Sequence, residues 1–373
     1  MPPPQVAHPD SASAQRLRFA AAYSVLERAV AEQAFPGAAF GVLAEGRVLA
    51  LDGVGRFTYD HSTEAVTPVS ASTVYDLASV TKVLATTSMA MLLYQNGQLT
   101  LDLPLAHILP AFAQGEAAGG ARHQVTLRML LAHASGLPGY VRLFEGAGSK
   151  EALLDACLHL PLEAEPGTHA EYSDPGFILL GEALRAIAGE EIQNFCKREV
   201  FTPLSMTSTR FRPPTDWRAA IPPTEEDVTF RRRVIQGEVQ DENCFVQGGI
   251  AGHAGLFSNA LDPLLYAQCL LDQERIFNPE AIRLFTTRAA LPPGSSRALG
   301  WDTPSQPSSS GRFFSHHSAG HLGFAGTSLW IDFERKLAVV LLTNRTWPRR
   351  QSQAIREIRP AFHDGVMQAL GIG

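Results

Sequence analysis

The chain has 373 residues, of which 45% are hydrophobic and 18% are charged, and its formal net charge is −6 with a pI of about 6.1. This length can bury a large core and favours more than one compact unit. The mildly acidic charge supplies no basic field for nucleic acid or anionic lipid, so neither partner is expected. The isolated run Arg231, Arg232 and Arg233 is interpreted as a solvated face or a structural ion-pair site.

The N-terminal segment and the cysteines bear on the compartment. The first residues lack a basic region leading into a continuous apolar run, which argues against a signal peptide, and no stretch reaches the length of a membrane span. We therefore expect a soluble, cytoplasmic protein whose residues 1–14 are disordered. The four cysteines (Cys157, Cys196, Cys244 and Cys269) form no Cys-x-x-Cys pair, which predicts buried thiols rather than a zinc site or a disulfide framework.

The first half of the chain predicts a hairpin between helical segments. Residues 15–34 have helical periodicity, and 38–55 predict two strands joined at Glu45-Gly46. The pattern then becomes mostly helical, with helices predicted at 78–95, 126–133, 149–159, 175–188 and 190–200.

The second half is richer in loops. Residues 211–229 predict a surface excursion and 302–312 a mobile loop, because proline and polar residues dominate both. Residues 241–259 predict a glycine-rich loop, with Ser258 as a cap of the helix that follows. The chain ends in two strands across 327–344, which turn at 332–336, and a helix at 350–369.

Strands at both ends and helices in the middle predict a discontinuous α/β (α+β) arrangement. Residues 15–72 and 240–373 would share one antiparallel sheet flanked by helices, and 73–239 would form a mostly helical second lobe. Binding sites tend to lie in the cleft between such units.

A serine and a lysine stand three positions apart in "DLASVTKVLATTSM", residues 76–89. Ser79 and Lys82 at i and i+3 lie on one helix face, with Cβ atoms about 5–6 Å apart. Burial would lower the pKa of Lys82 and let it take the Ser79 hydroxyl proton, which would make Ser79 a nucleophile. The alternative is a surface lysine beside a serine that only caps the helix.

Two further elements follow in chain order. One contains Tyr172, Ser173 and Asp174, and a tyrosine near a cationic lysine can carry a proton to a leaving group. The other is His321-Leu322-Gly323, which leads into a strand and lets a substrate backbone approach at the glycine. The N–H of Phe324 can then pair with the Ser79 N–H as an oxyanion hole.

With these elements in this order, the chain resembles the serine β-lactamase and penicillin-binding-protein superfamily over about residues 20–350. It looks closest to the branch of class C β-lactamases, D-aminopeptidase and DD-peptidase-like proteins, and family VIII carboxylesterases. "VTLRMLLAHASGLPGY" and "NGQLTLDLPLAHILP" are also similar to family segments. The resemblance implies a β-lactamase/transpeptidase-like fold, with Ser79 as acyl-accepting nucleophile, Lys82 as base and Tyr172 as proton carrier.

The chain departs from the family pattern at two positions that would contact substrate. Asp174 stands where the family often has asparagine, and His321 stands where β-lactamases have the lysine of Lys-Thr-Gly, while Gly323 matches the glycine. These changes argue against strong β-lactamase activity. The loop "GEVQDENCFVQGGIAGHAGLFS" is similar to a sub-branch that includes muropeptide amidases, where histidine often replaces Gln240. His253 in this loop is a candidate substrate contact, or else a structural histidine.

Other functional classes lack support in the sequence. No Gly-x-Ser-x-Gly elbow occurs, the histidines match no zinc template, and no phosphate-binding loop is present. We therefore expect a serine hydrolase that uses no metal or other cofactor and acts on small carboxylesters or amides, with β-lactam turnover that is weak at most. A muropeptide amidase or D-peptidase is the first alternative, and an inactive penicillin- or peptidoglycan-binding module is the second. The sequence gives no oligomeric state.

Overall fold

A computed structural model describes residues 10–59, 67–273 and 276–373. Its strands are β1 (Gly37–Ala44), β2 (Arg47–Gly55), β3 (Tyr75–Asp76), β4 (Arg210–Phe211), β5 (Glu225–Asp227), β6 (Arg233–Ile235), β7 (Leu256–Ser258), β8 (Ser318–Leu322), β9 (Ser328–Asp332) and β10 (Leu337–Thr343). Its α-helices are α1 (Ala12–Arg18), α2 (Ala20–Ala31), α3 (Ser88–Gln95), α4 (Leu105–Ile108), α5 (Ala121–Gln124), α6 (Leu127–Leu131), α7 (Lys150–Leu158), α8 (Asp174–Ala188), α9 (Ile192–Cys196), α10 (Glu242–Val246), α11 (Asp262–Asp272), α12 (Pro279–Thr286) and α13 (Ile355–Ala369).

The two ends of the chain build one antiparallel sheet in the order β2-β1-β10-β9-β8, as the sequence predicted. The first hairpin turns at Glu45 and Gly46, whose φ angles of 49° and 77° are those of a two-residue turn that matches the strand twist. Helices α2 and α13 pack on one face of the sheet, and α11 packs on the other against β1 and β10. The fold is therefore α+β, with an antiparallel sheet between helices.

The helical region encloses a second core around the segment that carries Ser79 and Lys82. The sequence predicted one helix over 78–95. The structure instead has a 3₁₀ turn at Ala78–Val80, a π-helix at Lys82–Thr87, and α3 only from Ser88. Every residue from Lys82 to Leu93 is buried, so the segment is apolar on all sides because it crosses the centre of the protein. Local π-helical geometry often marks functional sites.

Three further local predictions are wrong. Helix α1 begins at Ala12, inside the segment 1–14 that was predicted to be disordered, and residues 1–9 lie outside the described residues. Ser258 belongs to β7 and does not cap α11; Asn259 accepts from the N–H groups that open this helix. The excursion 211–229 is not wholly at the surface, because its second half includes the buried Ile221 and strand β5.

Other features agree with the sequence. The four cysteines are buried and form no disulfide with one another. Arg231 forms a buried ion pair with Asp227, which fits the structural interpretation of the arginine run. The domain boundaries at 72 and 239 and the mobility of 302–312 stay predictions. Within the ranges described, no helix combines the length and the apolar character that a bilayer span requires.

Candidate active site

Ser79 lies on a strained turn directly after strand β3. The preceding residue, Ala78, has a φ of 47°, a left-handed conformation that costs a non-glycine residue about 1–2 kcal/mol. The buried Asp76 stabilises this turn, because its Oδ1 accepts from Ala78 N at 2.8 Å and its Oδ2 from Gln240 N at 2.7 Å. Burial raises the pKa of Asp76 to about 6. One carboxyl group thus ties the turn that carries Ser79 to the loop that carries Gln240.

Lys82 is fully buried and directly contacts the proposed nucleophile. Its Nζ donates to Ser79 Oγ at 3.0 Å, to Asp174 Oδ1 at 2.7 Å and to the His253 carbonyl at 3.1 Å. These three acceptors match the three N–H bonds of an ammonium group. Burial is the largest effect and alone would lower the pKa of Lys82, but the interactions with Asp174 and Tyr172 together outweigh it, so the pKa is raised. The expected low pKa of Lys82 is therefore wrong for the resting site.

The glycine-rich loop brings backbone carbonyls to the buried π-helix. The Gly252 carbonyl accepts from Thr86 Oγ1 at 2.6 Å, and the next carbonyl, that of His253, accepts from Lys82. A Cβ on Gly252 would lie 2.1 Å from the Phe177 carbonyl oxygen, so only glycine fits there. This glycine therefore serves the close approach of the loop to the lysine helix.

Tyr172 lies against Lys82 just before helix α8. The Lys82 ammonium is 4.8 Å from the centroid of the Tyr172 ring, and both Lys82 and Ser79 lie close enough to the Tyr172 hydroxyl to lower its pKa. Burial raises the pKa of Tyr172, although the Lys82 charge opposes the shift, so the resting group is a phenol. Asp174 is the first residue of α8, which Ser173 caps by accepting from Gly176 N at 3.0 Å. The helix start thus sets the places of both Tyr172 and Asp174.

His133 supports Tyr172, and the sequence reasoning did not identify it. Its ring is 4.6 Å from the Tyr172 ring, and its Nδ1 accepts from Ser173 N at 3.0 Å, which leaves the proton on Nε2. Burial lowers the pKa of His133 well below its ordinary value, so the ring is neutral. The only signal for His133 in the sequence was its position in "AHASG", which lies within a segment similar to the family.

The turn between β8 and β9 packs directly on the turn that carries Ser79. Thr327 Oγ1 donates to the Leu77 carbonyl at 2.9 Å, and a Cβ on Gly323 would lie only 2.5 Å from that carbonyl oxygen. The glycine is therefore needed for protein packing, and this packing brings the Phe324 backbone beside Ser79. His321 on β8 is buried and burial lowers its pKa well below the ordinary value, so it is neutral.

A cavity of about 700 Å³ opens at these residues. Its lining includes six of the residues that the sequence singled out: Ser79, Tyr172, Asp174, His321, Gly323 and Phe324. Arginines form much of the remaining wall: Arg297, Arg345, Arg350, Arg356 and Arg359. Among the residues that the structure describes, no cluster of three or more His, Cys, Asp or Glu side chains is arranged to hold a metal ion.

The side chain of His253 does not line this cavity. The imidazole is 1% exposed, and its Nε2 lies 2.8 Å from Asp241 Oδ1, while Asp241 itself lines the cavity. The structural alternative for His253 therefore fits its position better than direct contact with substrate. Its backbone carbonyl, in contrast, is a partner of Lys82.

Comparison with known proteins places the chain in a family. The Beta-lactamase family model matches residues 23–361, so the chain belongs to the Beta-lactamase family. An N-acetylmuramyl-L-alanine amidase of Bacillus subtilis (strain 168) is 29% identical over 92% of this chain and 84% of its own length. An Escherichia coli (strain K12) protein named "Putative D-alanyl-D-alanine carboxypeptidase" is 31% identical over 77% of this chain and 73% of its own.

Solved structures share the fold. EstCE1, described as a hydrolase with promiscuous acyltransferase activity, has a TM-score of 0.74 and 23% identity, and the match covers 94% of this chain and 100% of that one. A penicillin-binding protein homologue from Caulobacter crescentus has a TM-score of 0.74 and 18% identity, with 94% and 97% covered. With the family and its relatives, these findings make the protein a serine hydrolase with a β-lactamase fold.

Proposed function

We propose that the protein hydrolyses small carboxylesters or amides through a covalent acyl-enzyme on Ser79. The observation that carries this proposal is the distance of 3.0 Å between Lys82 Nζ and Ser79 Oγ at the edge of a large cavity. Tyr172 completes a nucleophile, a base and a proton carrier within one contact network. The substrate is a small molecule, and no cofactor takes part.

Acylation begins when Lys82 in its neutral form takes the proton of the Ser79 hydroxyl. The Ser79 oxygen then bonds to the substrate carbonyl carbon, and the N–H groups of Ser79 and Phe324 stabilise the negative oxygen of the tetrahedral intermediate. Collapse breaks the bond to the leaving alcohol or amine, which receives a proton from Tyr172, itself resupplied by Lys82. Deacylation repeats these steps with water as the nucleophile and Ser79 as the leaving group.

Two residues near Ser79, Asp174 and His321, argue for neutral acyl groups over β-lactams. Asp174 is engaged by Lys82 at 2.7 Å and is a poor amide partner, and His321 is neutral where β-lactamases carry a lysine. We therefore propose weak β-lactam turnover at most.

A muropeptide amidase or D-peptidase is the second candidate. The B. subtilis relative named as an N-acetylmuramyl-L-alanine amidase aligns with most of this chain, which favours it. Gln240, where related amidases often have histidine, cannot titrate, and its Nε2 donates to Glu225 Oε2 at 2.9 Å. The inactive binding module is the third candidate, and a cytoplasmic location stays part of the proposal.

Rapid mixing with a short-chain p-nitrophenyl ester tests the proposal. We expect a stoichiometric burst of p-nitrophenol that Ser79→Ala abolishes, and a matching increase in protein mass on Ser79. Prior exposure to a penicillin should leave the burst nearly unchanged. If penicillin blocks the burst, the site admits β-lactams and DD-peptidase-like chemistry is favoured. If no burst occurs and a muropeptide is cleaved instead, the amidase candidate replaces the esterase.

A further inference from the structure

Two arginines from the C-terminal part of the chain bind the turn that follows β8. This turn, residues 323–327, carries the Phe324 N–H that the proposed function uses as an oxyanion donor. Arg359 comes from helix α13, and Arg345 follows strand β10. Neither residue was singled out by the sequence motifs, because both lie outside every family element that the sequence displays.

Arg359 reaches the turn from inside the protein. Its Nη2 donates to the Gly323 carbonyl at 2.6 Å and to the Thr327 carbonyl at 3.0 Å. The side chain is 6% exposed, and burial and the nearby Arg345 lower the pKa of its guanidinium. An arginine nevertheless stays protonated in proteins. Its positive charge therefore lies in a poorly solvated position. Burying a charge costs free energy unless the group is hydrogen-bonded, as this guanidinium is to two backbone carbonyls.

Arg345 binds the next carbonyl of the same turn. Its Nε donates to the Phe324 carbonyl at 2.7 Å, and its backbone N–H donates to the Ala325 carbonyl at 3.0 Å. The carbonyls of residues 323, 324 and 325 thus all accept hydrogen bonds from Arg345 or Arg359. Because the C=O and N–H of a trans peptide point in opposite directions, Arg359 holds the Gly323–Phe324 peptide from the side opposite to the Phe324 N–H.

The Gly323 carbonyl and the Phe324 N–H belong to one peptide group. We propose that Arg359 is a positioning residue that polarises this peptide and so strengthens the Phe324 N–H as an oxyanion donor. The inference rests on the proposed function only for the catalytic use of that N–H. A charge-assisted hydrogen bond to a carbonyl draws electron density from the amide nitrogen, and hydrogen bonds in such chains reinforce one another.

The dipeptide Gly-Phe occurs only at 176–177 and 323–324 in the full sequence, which allows a direct measurement. Protein labelled with carbonyl-¹³C glycine and ¹⁵N phenylalanine gives two peptide signals in a carbonyl-selected NMR spectrum. One reports the Arg359 contact, and the other, inside helix α8, is an internal reference. The signals are assigned by Phe324→Leu, which removes one of them.

We expect Arg359→Met to move the Gly323–Phe324 N–H signal upfield while the Gly176–Phe177 signal stays in place. Arg359→Gln, which keeps an N–H donor without the charge, should give an intermediate shift and also serves if the methionine variant does not fold. Arg349→Met is the matched control, since it removes an exposed arginine that precedes helix α13 and lies outside the cavity lining. For ester hydrolysis we expect kcat to fall about tenfold in Arg359→Met with little change in KM, less than the full loss of an oxyanion donor.

The outcomes separate this inference from the proposed function. An unmoved Gly323–Phe324 signal in both Arg359 variants would overturn the polarisation, whatever happens to the rate. A moved signal with unchanged kcat would overturn the link to the oxyanion hole. A moved signal in a protein whose wild type never acylates Ser79 would overturn the proposed function, and the polarised peptide would stand.

Discussion

Lys82 Nζ lies 2.7 Å from Asp174 Oδ1, and this ion pair sets the resting state of the site. The lysine is fully buried and the aspartate is 14% exposed, so solvent screens the pair only weakly. Where the family often has an asparagine, this chain has Asp174, and its carboxylate places a negative charge beside Lys82. Asp174 is thus a counter-ion of Lys82, in addition to being part of the cavity wall.

Replacing Asp174 tests this relationship. In Asp174→Asn the burial of Lys82 remains while its counter-ion is lost, so the pKa of Lys82 should fall. The fraction of neutral Lys82 then rises at lower pH, and the pH dependence of kcat/KM for p-nitrophenyl acetate should move toward acid. Glu171→Gln is the control, because it removes an acid from the cavity lining that does not contact Lys82. A uniform loss of rate with no shift would instead make Asp174 the final proton acceptor.

Tyr172→Phe tests the proton carrier with little change in shape. The ring contacts with His133 and Lys82 can persist, while the hydroxyl near Ser79 is gone. We expect a rate loss on the order of 10²–10⁴, the usual range for a positioned acid–base group. The loss should be larger for an amide than for a p-nitrophenyl ester, since an amine must be protonated to leave. Near-normal hydrolysis of both substrates would remove Tyr172 from the mechanism.

The sequence predicted those parts of the site that come from local motifs. Ser79 and Lys82 share a turn, and Tyr172 and Asp174 bracket a helix start, so spacing alone placed each pair together. The sheet was also predictable, because both hairpins have apolar strands around short turns. The helix that holds Lys82 was predicted as a helix, but its π-geometry was not, and its buried partners such as Gly252 lie far away in sequence.

The remaining site contacts could not be predicted because they join distant segments. The Lys82 to Asp174 pair spans 92 positions and the Arg359 to Gly323 bond spans 36. The pKa of Lys82 has the opposite shift from the one expected, since burial was foreseen and the counter-ion was not. Asp76 carries no motif at all, although it holds both Ala78 and Gln240.

Gly323→Ala tests whether the turn after β8 must pack closely against the turn that carries Ser79. The new Cβ would lie 2.0 Å from Thr327 Oγ1 and 2.5 Å from the Leu77 carbonyl oxygen, so the two turns must separate. We expect about 1–3 kcal/mol lower unfolding stability, as in other overpacked sites, and a loss of the p-nitrophenol burst. Gly146→Ala is the matched control, because its Cβ would meet no atom within 4 Å and its φ is −102°. Equal behaviour of the two variants in urea unfolding and in the burst would contradict the packing argument.

Asp76 gives a prediction for stability against pH. Its pKa rises from 3.8 to about 6 on folding, mainly by burial, so the unfolded chain loses this proton at lower pH than the folded one. Between these values the contribution of Asp76 to folding stability falls as pH rises, by up to about 3 kcal/mol. In Asp76→Asn this fall is absent, so urea unfolding should show wild type losing stability relative to the variant from pH 4 to pH 7. Asp216→Asn, an exposed control, should keep the wild-type slope. A wild-type slope in Asp76→Asn as well would show that Asp76 is ionised across this range and is stabilised by its two N–H donors.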